Sequence, residues 1–416
     1  MTLGYSSLRC GLIGEHLSHS FSRIIHEQLC DYSYEHIELS PEQVENFVKS
    51  KVLDAYNVTI PYKKAVMPHL DVISREAQAI GAVNTVVLRE GKLYGYNTDY
   101  FGFCYMLDSA GFDVAGKKIL VLGTGGAAAT VCTVLHDRHA SVVSVSRRDN
   151  TPEFLARHSD AHLIVNTTPV GMYPKNGLSP VDLDLFSCLE GVLDLIYNPS
   201  LTQLLLDAEQ RGIPHVNGLP MLVAQAIKAF ELFTGETALP SECERVCSEI
   251  ERQTKNIVLI GMPGCGKSTV GRLIAQMLGR PFFDADRAFT GKYGESPAEV
   301  ISRDGEEKFR QMEHEVTLEL GKHSGSVIAC GGGVVTRECN YAPLHQNGTI
   351  VFLERALENL SSKGRPISRS TSVDTLYRSR IDAYRAFADL TVSSTEVPEL
   401  TADLIIKTLG TENTKK

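Results

Sequence analysis

Residues 118–128 read KILVLGTGGAA: an apolar run, Lys118–Leu122, then Gly123-Thr124-Gly125-Gly126-Ala127-Ala128 opening a small-residue helical stretch from Gly125 to His136. This is a G-x-G-x-x-A loop set between a strand and a helix. Its glycines let the backbone turn tightly and approach a pyrophosphate, while the helix N-terminus offers free N–H groups and the positive end of its dipole. The pattern alone is weak. Its strand–turn–helix setting makes Gly123, Thr124, Gly125, Gly126 and Ala127 candidate dinucleotide-binding residues. The next strand, Ser141–Val145, ends in Ser146-Arg147-Arg148. An acidic residue there would serve the ribose hydroxyls of NAD, whereas two guanidiniums suit a 2′-phosphate, so the expected cofactor is NADP(H).

A second phosphate loop lies downstream. Residues 256–269 read NIVLIGMPGCGKST, a strand running into the complete G-x-x-x-x-G-K-S pattern. Gly264, Cys265, Gly266, Lys267, Ser268 and Thr269 are candidate ATP-binding residues. In such a loop the N–H groups cradle phosphates, the lysine reaches the β/γ oxygens, and the Ser268 hydroxyl sits on Mg²⁺. The next strand ends in Phe283-Asp284-Ala285-Asp286. One carboxylate there serves the metal through water and the other meets a substrate hydroxyl, as phosphoryl transfer to an alcohol requires.

Around these loops, short apolar strands alternate with helical patterns: strands at 8–13, 55–60 and 194–196, and helices at 22–30, 62–70, 221–233 and 240–252. The alternation predicts an α/β fold with parallel sheets. The pattern restarts near residue 255, which places a boundary near residue 253 with a very short linker.

Upstream of the first loop, polar clusters leave strand ends: His19-Ser20-Phe21-Ser22, Asn57-Val58-Thr59-Ile60-Pro61-Tyr62-Lys63, Gly81-Ala82-Val83-Asn84-Thr85 and Asn97-Thr98-Asp99. Hydroxyls, amides and a lysine at such ends suit a polyhydroxy acid. Lys63 with Asp99 is a candidate proton-handling couple for reduction of a ketone.

In order and spacing, GLIGEHLSHSFSRIIH, NVTIPYK, GAVNT, NTD, GTGGAA, NTTPVGM and NGLPMLVAQA resemble shikimate dehydrogenase over about residues 8 to 250. The resemblance implies that Lys63 and Asp99 are the catalytic pair. It also implies that Ser20, Ser22, Thr59, Asn84, Tyr197 and Gln225 hold the substrate with Asp99, and that Leu195 and Gly218 line the nicotinamide. Three features depart from the family. Arg23 stands where a proline usually follows the second serine, which costs preorganisation at a helix start. Pro220 replaces a glycine and is expected to weaken the cofactor side. The stretch from Glu38 to Asn57 is short.

The second loop, with FDAD, GEEKFRQME, CGGG, GRP and AYR, resembles shikimate kinase over about residues 256 to 410. The resemblance implies that Asp286 acts as base or orienter, that Lys267 is catalytic, and that Asp284 joins Ser268 at the metal. Arg310 and Arg385 are expected to clamp the acceptor carboxylate, Glu313 to brace Arg310, Gly332 to lie against the ring, and Arg365 to close over the phosphates. The stretch from Glu358 to Pro366 is short, and Leu360-Ser361-Ser362 falls where an adenine-stacking arginine often stands.

Together these readings predict a two-lobed dehydrogenase with a Rossmann NADP lobe, then a P-loop kinase domain with a parallel sheet. The expected division is residues 1–253 (substrate lobe 1–100 plus 222–253, NADP lobe 101–221) and residues 254–416. The expected activity is NADPH-dependent reduction of 3-dehydroshikimate to shikimate, then MgATP-dependent 3-phosphorylation, in aromatic amino acid biosynthesis. Rival readings are a quinate-type dehydrogenase using NAD and a module that binds without turning over.

Composition agrees. The chain has 416 residues, room for two to three domains at about 150 each, with 43% hydrophobic and 22% charged residues. A net charge of −9 argues against nucleic acid. No apolar run approaches the length of a membrane span, and no signal pattern opens the chain. Ten dispersed cysteines with no CxxC pair fit a reducing, cytoplasmic setting. The expected partners are therefore small molecules, and the sequence is silent on oligomeric state.

Overall fold

A computed structural model describes residues 5–17, 21–360 and 373–410. Three sheets organise them. The first contains β1 (Arg9–Gly14), β2 (Ser33–Glu38), β3 (Ala55–Val58), β4 (Val72–Ile73), β5 (Thr85–Arg89) and β6 (Lys92–Tyr96), in the order β2-β1-β3-β5-β6-β4. β1 pairs in parallel with β2 and β3, but β5 runs antiparallel to both β3 and β6. This sheet is therefore mixed, for a local reason. Only Glu90 and Gly91 join β5 to β6, both at positive φ (50° and 75°). A two-residue link of this kind closes a hairpin, whereas a parallel crossover needs a dozen residues or more.

The predicted helix over 62–70 is also absent as such. The chain instead makes successive turns, Tyr62 N to Thr59 O and Val66 N to Tyr62 O, and a short 3₁₀ segment, Met67–His69. Pro68 has no N–H to continue a helical ladder.

The second sheet holds β7 (Lys118–Leu122), β8 (Ser141–Val145), β9 (Leu163–Asn166), β10 (Gly191–Asp194) and β11 (His215–Val216), all parallel, in the order β11-β10-β9-β7-β8. The strand expected at 194–196 lies three residues earlier, as β10. Helices Thr98–Ser109 and Leu219–Thr234 pack on each other beside the two sheets. Phe103, Met106 and Leu107 from the first of them join Ile119, Val121, Val131 and Val134 in one core.

The third sheet holds β12 (Asn256–Ile260), β13 (Phe282–Asp284), β14 (Val327–Ala329), β15 (Gly348–Glu354) and β16 (Leu390–Ser393), all parallel, in the order β13-β14-β12-β15-β16. Its strands read as near-continuous apolar runs because both faces are covered. Val258, Ile260, Ile328, Ile350 and Phe352 build one core layer with Tyr384. Ile257, Leu259, Val351 and Leu353 build the other with Ile274 and Ile405.

Contacts divide the chain into two compact units. One comprises Met1–Gly171, Ser179–Tyr197 and Asp207–Ser248; the other Met172–Leu178, Asn198–Leu206 and Glu249–Lys416. This differs from a single cut at 253/254. Two upstream loops belong with the second unit, through hydrogen bonds from Tyr173 Oη to Gly321 O (3.0 Å), Asn176 Nδ2 to Gln346 Oε1 (2.7 Å) and Ser200 Oγ to Gln346 O (3.0 Å). The cut near the linker falls inside the helix Glu242–Thr254, which reaches β12 after Lys255 alone.

Candidate active sites

The first unit has a cavity of about 390 Å³. Its walls include Ser22, Thr59, Lys63, Asn84, Asp99, Tyr197 and Gln225, together with Ala127, Leu195 and Gly218. Ten of the residues read from the sequence therefore meet in one space. Ser20 lies outside the described residues.

Each side chain is placed by its local structure. Asn97 caps the helix Thr98–Ser109, its Oδ1 accepting from Tyr100 N, and this sets Asp99 in the first turn. The turns after β3 carry Lys63, whose carbonyl is fixed by Val83 N at 2.8 Å. Lys63 Nζ then donates to Asp99 Oδ2 at 2.6 Å, with both side chains largely shielded from solvent. Asn84 Oδ1 accepts from Thr98 N (2.7 Å) and Thr85 Oγ1 (3.1 Å), leaving the amide NH₂ end for a ligand. Thr98 Oγ1 donates to Gln225 Oε1 (3.3 Å). Behind Asn84, a buried relay runs from Tyr34 Oη to Asn57 Oδ1 (2.7 Å) and from Asn57 Nδ2 to Thr85 Oγ1 (3.0 Å); Asn57 and Thr85 stand in separate strand-end clusters of the sequence, whereas Tyr34 stands in none. Burial raises the pKa of the Tyr197 hydroxyl above its ordinary value, so it faces the cavity as a neutral donor.

The cofactor residues fall into two groups. Gly218 approaches Leu195 so closely that a Cβ would stand 2.0 Å from Leu195 O, so only glycine fits this cradle. Pro220 is the second residue of the helix Leu219–Thr234. Its missing N–H belongs to an end that has no intrahelical partner, so it breaks no ladder bond. Gly123 and Ser146 open the connections that leave the adjacent parallel strands β7 and β8, and Gly123 N donates to Val145 O (2.9 Å). The exposed Arg147 and Arg148 thus lie beside the Gly123–Gly126 loop and outside the cavity wall. Ser146 Oγ donates to Asp149 Oδ2 (2.5 Å), which pins the turn. This donor set fits an NADP pyrophosphate and 2′-phosphate.

The second unit has a cavity of about 590 Å³ at the carboxyl ends of β12, β13 and β14. Gly264, Gly266, Lys267, Ser268, Thr269, Asp284, Asp286, Arg310 and Gly332 all line it. Gly266 starts the helix Lys267–Leu278 at φ +100°, a backbone state side chains avoid. Lys267 folds back on its own loop, donating to Gly261 O (2.8 Å) and Met262 O (3.0 Å). Cys265 turns its side chain into the core, where its Sγ lies 3.8 Å from Lys267 Nζ. Ser268 Oγ donates to Asp284 Oδ2 at 2.6 Å. A hydroxyl beside a carboxylate at a phosphate loop is a hard-oxygen set that fits Mg²⁺, which keeps most of its waters.

Arg310 is buried and donates from Nη1 to Glu313 Oε2 (2.7 Å) and from Nη2 to Glu306 Oε1 (2.8 Å). Burial raises the Glu313 pKa, against the pull of the Arg310 guanidinium.

Arg385 does not stand where the resemblance to shikimate kinase implies. It is 62% exposed, lies 3.9 Å from Glu354 and does not line the cavity. Arg380 occupies the place expected of it: 7% exposed, lining the cavity, with Nη1 donating to Gly332 O at 3.1 Å beside the Tyr384 hydroxyl on the same carbonyl. In the helix Val373–Phe387, positions 380 and 384 share a face, while 385 stands about 140° round from 380. Helical phase separates the two arginines, and packing decides which face meets the cavity. Arg365 lies outside the described residues.

A reductase site built on a dinucleotide fold and a phosphoryl-transfer site built on a P-loop fold therefore share one chain. The shikimate dehydrogenase substrate binding domain family matches residues 12–86, the shikimate 5′-dehydrogenase C-terminal domain family residues 218–246, and the shikimate kinase family residues 263–410. A shikimate dehydrogenase (NADP⁺) of Clostridium perfringens is 39% identical over 264 residues, covering 58% of this chain and 97% of that protein. Two solved structures are each 35% identical and cover 58% of this chain. A chorismate mutase/shikimate 5-dehydrogenase fusion from Clostridium acetobutylicum has a TM-score of 0.56 and is covered to 96%. The Thermus thermophilus shikimate 5-dehydrogenase in complex with NADP(H) and shikimate has a TM-score of 0.53 and is covered to 99%.

The chain belongs to the shikimate dehydrogenase family and carries a shikimate kinase domain after it. It is a bifunctional shikimate-pathway enzyme, NADP-dependent in its first activity and ATP-using in its second. Among the described residues no helix is long and apolar enough to cross a membrane.

Proposed function

We propose that the first site reduces 3-dehydroshikimate and that the second phosphorylates the 3-hydroxyl of the shikimate so formed. The observation that carries the first step is the Lys63–Asp99 contact of 2.6 Å inside a cavity walled by amides and hydroxyls. NADPH supplies the hydride when bound. Lys63 Nζ gives its proton to the ketone oxygen as the carbon receives the hydride, and Asp99 holds the ammonium in line. Asn84, Gln225, Thr59, Tyr197, Ser22 and Ser20 fix the acid's hydroxyls and carboxylate. Leu195, Gly218 and Ala127 shape the wall that would receive the nicotinamide ring. Residues 101–221, less the stretches 172–178 and 198–206, act as the NADP lobe, where Arg147 and Arg148 would meet the 2′-phosphate.

In the second site Asp286 orients the acceptor hydroxyl and takes its proton. Arg310 and Arg380 fork the carboxylate, and Gly332 borders the ring. Lys267 and the loop N–H groups hold the phosphates. Ser268 and Asp284 would hold Mg²⁺, which neutralises phosphate charge when bound. Ten free cysteines support a reducing cytoplasmic setting.

The test is one assay on the purified chain with 3-dehydroshikimate, NADPH and MgATP, reading NADPH loss and shikimate 3-phosphate together. Phosphorylation of added shikimate without NADPH oxidation by 3-dehydroshikimate would remove the first half of the proposal.

A further inference from the structure

The phosphate loop has a neighbour that no sequence pattern singled out. β15 lies beside β12 in parallel, with Leu259 opposite Val351 and Ile260 opposite Phe352. Their carboxyl ends therefore open on the same edge of the sheet, where β12 feeds the loop. Arg355 is the first residue beyond β15. Its side chain lines the 590 Å³ cavity with Gly264, Gly266, Lys267, Ser268 and Thr269. Its Nη1 comes within 3.9 Å of where a Cβ on Gly266 would stand.

Charge around it is uneven. The neighbouring Glu354 faces away, toward the Tyr377 hydroxyl (3.4 Å) and Arg385 (3.9 Å). Among the described residues no carboxylate pairs with Arg355. Lys267 is the loop's own cation, and it is held by two loop carbonyls. A nucleoside triphosphate brings about four negative charges to this point. A guanidinium beside the helix N-terminus matches phosphate oxygens in both charge and fork geometry.

We propose that Arg355 grips the polyphosphate of the kinase's nucleotide from the β15 side of the loop, a nucleotide-binding role carried by the sheet. Its nearness to Gly266 favours phosphate oxygens over the base, because that is where the loop N–H groups converge. The proposal rests on the nucleotide reading of the loop.

The experiment compares Arg355→Gln and Arg355→Lys with the unaltered full-length chain. It reads KM and kcat for MgATP, KM for shikimate, the dissociation constant of MgADP by calorimetry, and the thermal midpoint as a control for folding. The expected result for Arg355→Gln is a KM for MgATP raised about tenfold, MgADP weakened by a similar factor, KM for shikimate within twofold and the thermal midpoint unmoved. Arg355→Lys should recover part of the loss, because it keeps the charge. MgATP and MgADP affinities within twofold of the unaltered chain would overturn the proposal. So would a lysine variant as weak as the glutamine one together with lost discrimination between ATP and GTP, the signature of a contact to the base. If the unaltered chain bound no MgADP, the nucleotide reading itself would fall, and the role of Arg355 with it.

Discussion

Lys63 Nζ and Asp99 Oδ2 stand 2.6 Å apart although 36 residues separate them in sequence. Their side chains are 27% and 18% exposed, so the pair is shielded yet open to a ligand. The contact is made by two end effects: a turn after β3 delivers the lysine, and an Asn97-capped helix delivers the aspartate.

If Lys63 is the proton donor and Asp99 its positioner, the two variants should differ. Lys63→Ala is expected to lower kcat for 3-dehydroshikimate reduction by about 10² to 10⁴, the usual worth of general acid catalysis. Asp99→Asn keeps the shape but loses the charge that positions the ammonium, and should lower kcat less than Lys63→Ala does. A rise in KM with kcat unchanged in both variants would assign the pair to binding alone.

Arg380 and Arg385 separate cleanly in the kinase. Arg380→Ala should raise KM for shikimate by roughly 10- to 100-fold, equivalent to losing a charge-assisted hydrogen bond of about 1.5–3 kcal/mol. Arg385→Ala, on the solvent face, should leave that KM within twofold. Steady-state kinetics on the two variants checks the assignment, and the reverse ranking would restore Arg385.

For the cofactor, Arg147→Ala combined with Arg148→Ala should raise KM for NADPH about tenfold or more while changing KM for NADH little, because NADH has no 2′-phosphate to lose contact with. Initial rates with each cofactor supply the comparison. An equal loss with both would mean that the two arginines act on something common to them.

His26 gives the first unit an acid-sensitive point. It is 1% exposed, stacked on Tyr34 (4.1 Å) and near Phe233, with Nδ1 2.6 Å from the Tyr32 hydroxyl. Burial lowers its pKa to about 3, so the folded state keeps it neutral. The unfolded chain takes up a proton below its ordinary pKa of about 6.5. Stability is therefore present above about pH 6.5 and is lost as pH falls from there toward 3, by about 1.4 kcal/mol per pH unit. Urea unfolding of the reductase unit at pH 7 and pH 5 should show a loss of about 2 kcal/mol from this group. In His26→Phe that loss should vanish, even if the variant begins less stable for want of the Tyr32 contact. An unchanged loss would place the acid sensitivity elsewhere.

Legibility of the fold followed the range of the interactions. The strands at 118–122, 141–145 and 256–260 were readable to the residue, because buried parallel strands are short apolar runs closed by a glycine loop or a turn. The 62–70 segment misled because its apolar spacing is helical while Pro68 interrupts the ladder. The substrate amides and hydroxyls were found as clusters at strand ends. The Tyr34–Asn57–Thr85 relay behind them was not legible as a relay, since it joins three separate strands.

The sequence by itself determined both phosphate loops and the two families, because a phosphate nest is built from consecutive backbone N–H groups and the glycines that permit them. It also carries the expectation of NADP, in two adjacent arginines at one strand end. Tertiary structure alone decided which arginine of the helix Val373–Phe387 enters the kinase cavity, that Arg355 reaches the loop, and that residues 172–178 and 198–206 join the second unit. The physical reason is the same in each case. A loop's shape is encoded by contiguous residues, whereas the direction in which a side chain points depends on helix phase and on which strands lie side by side.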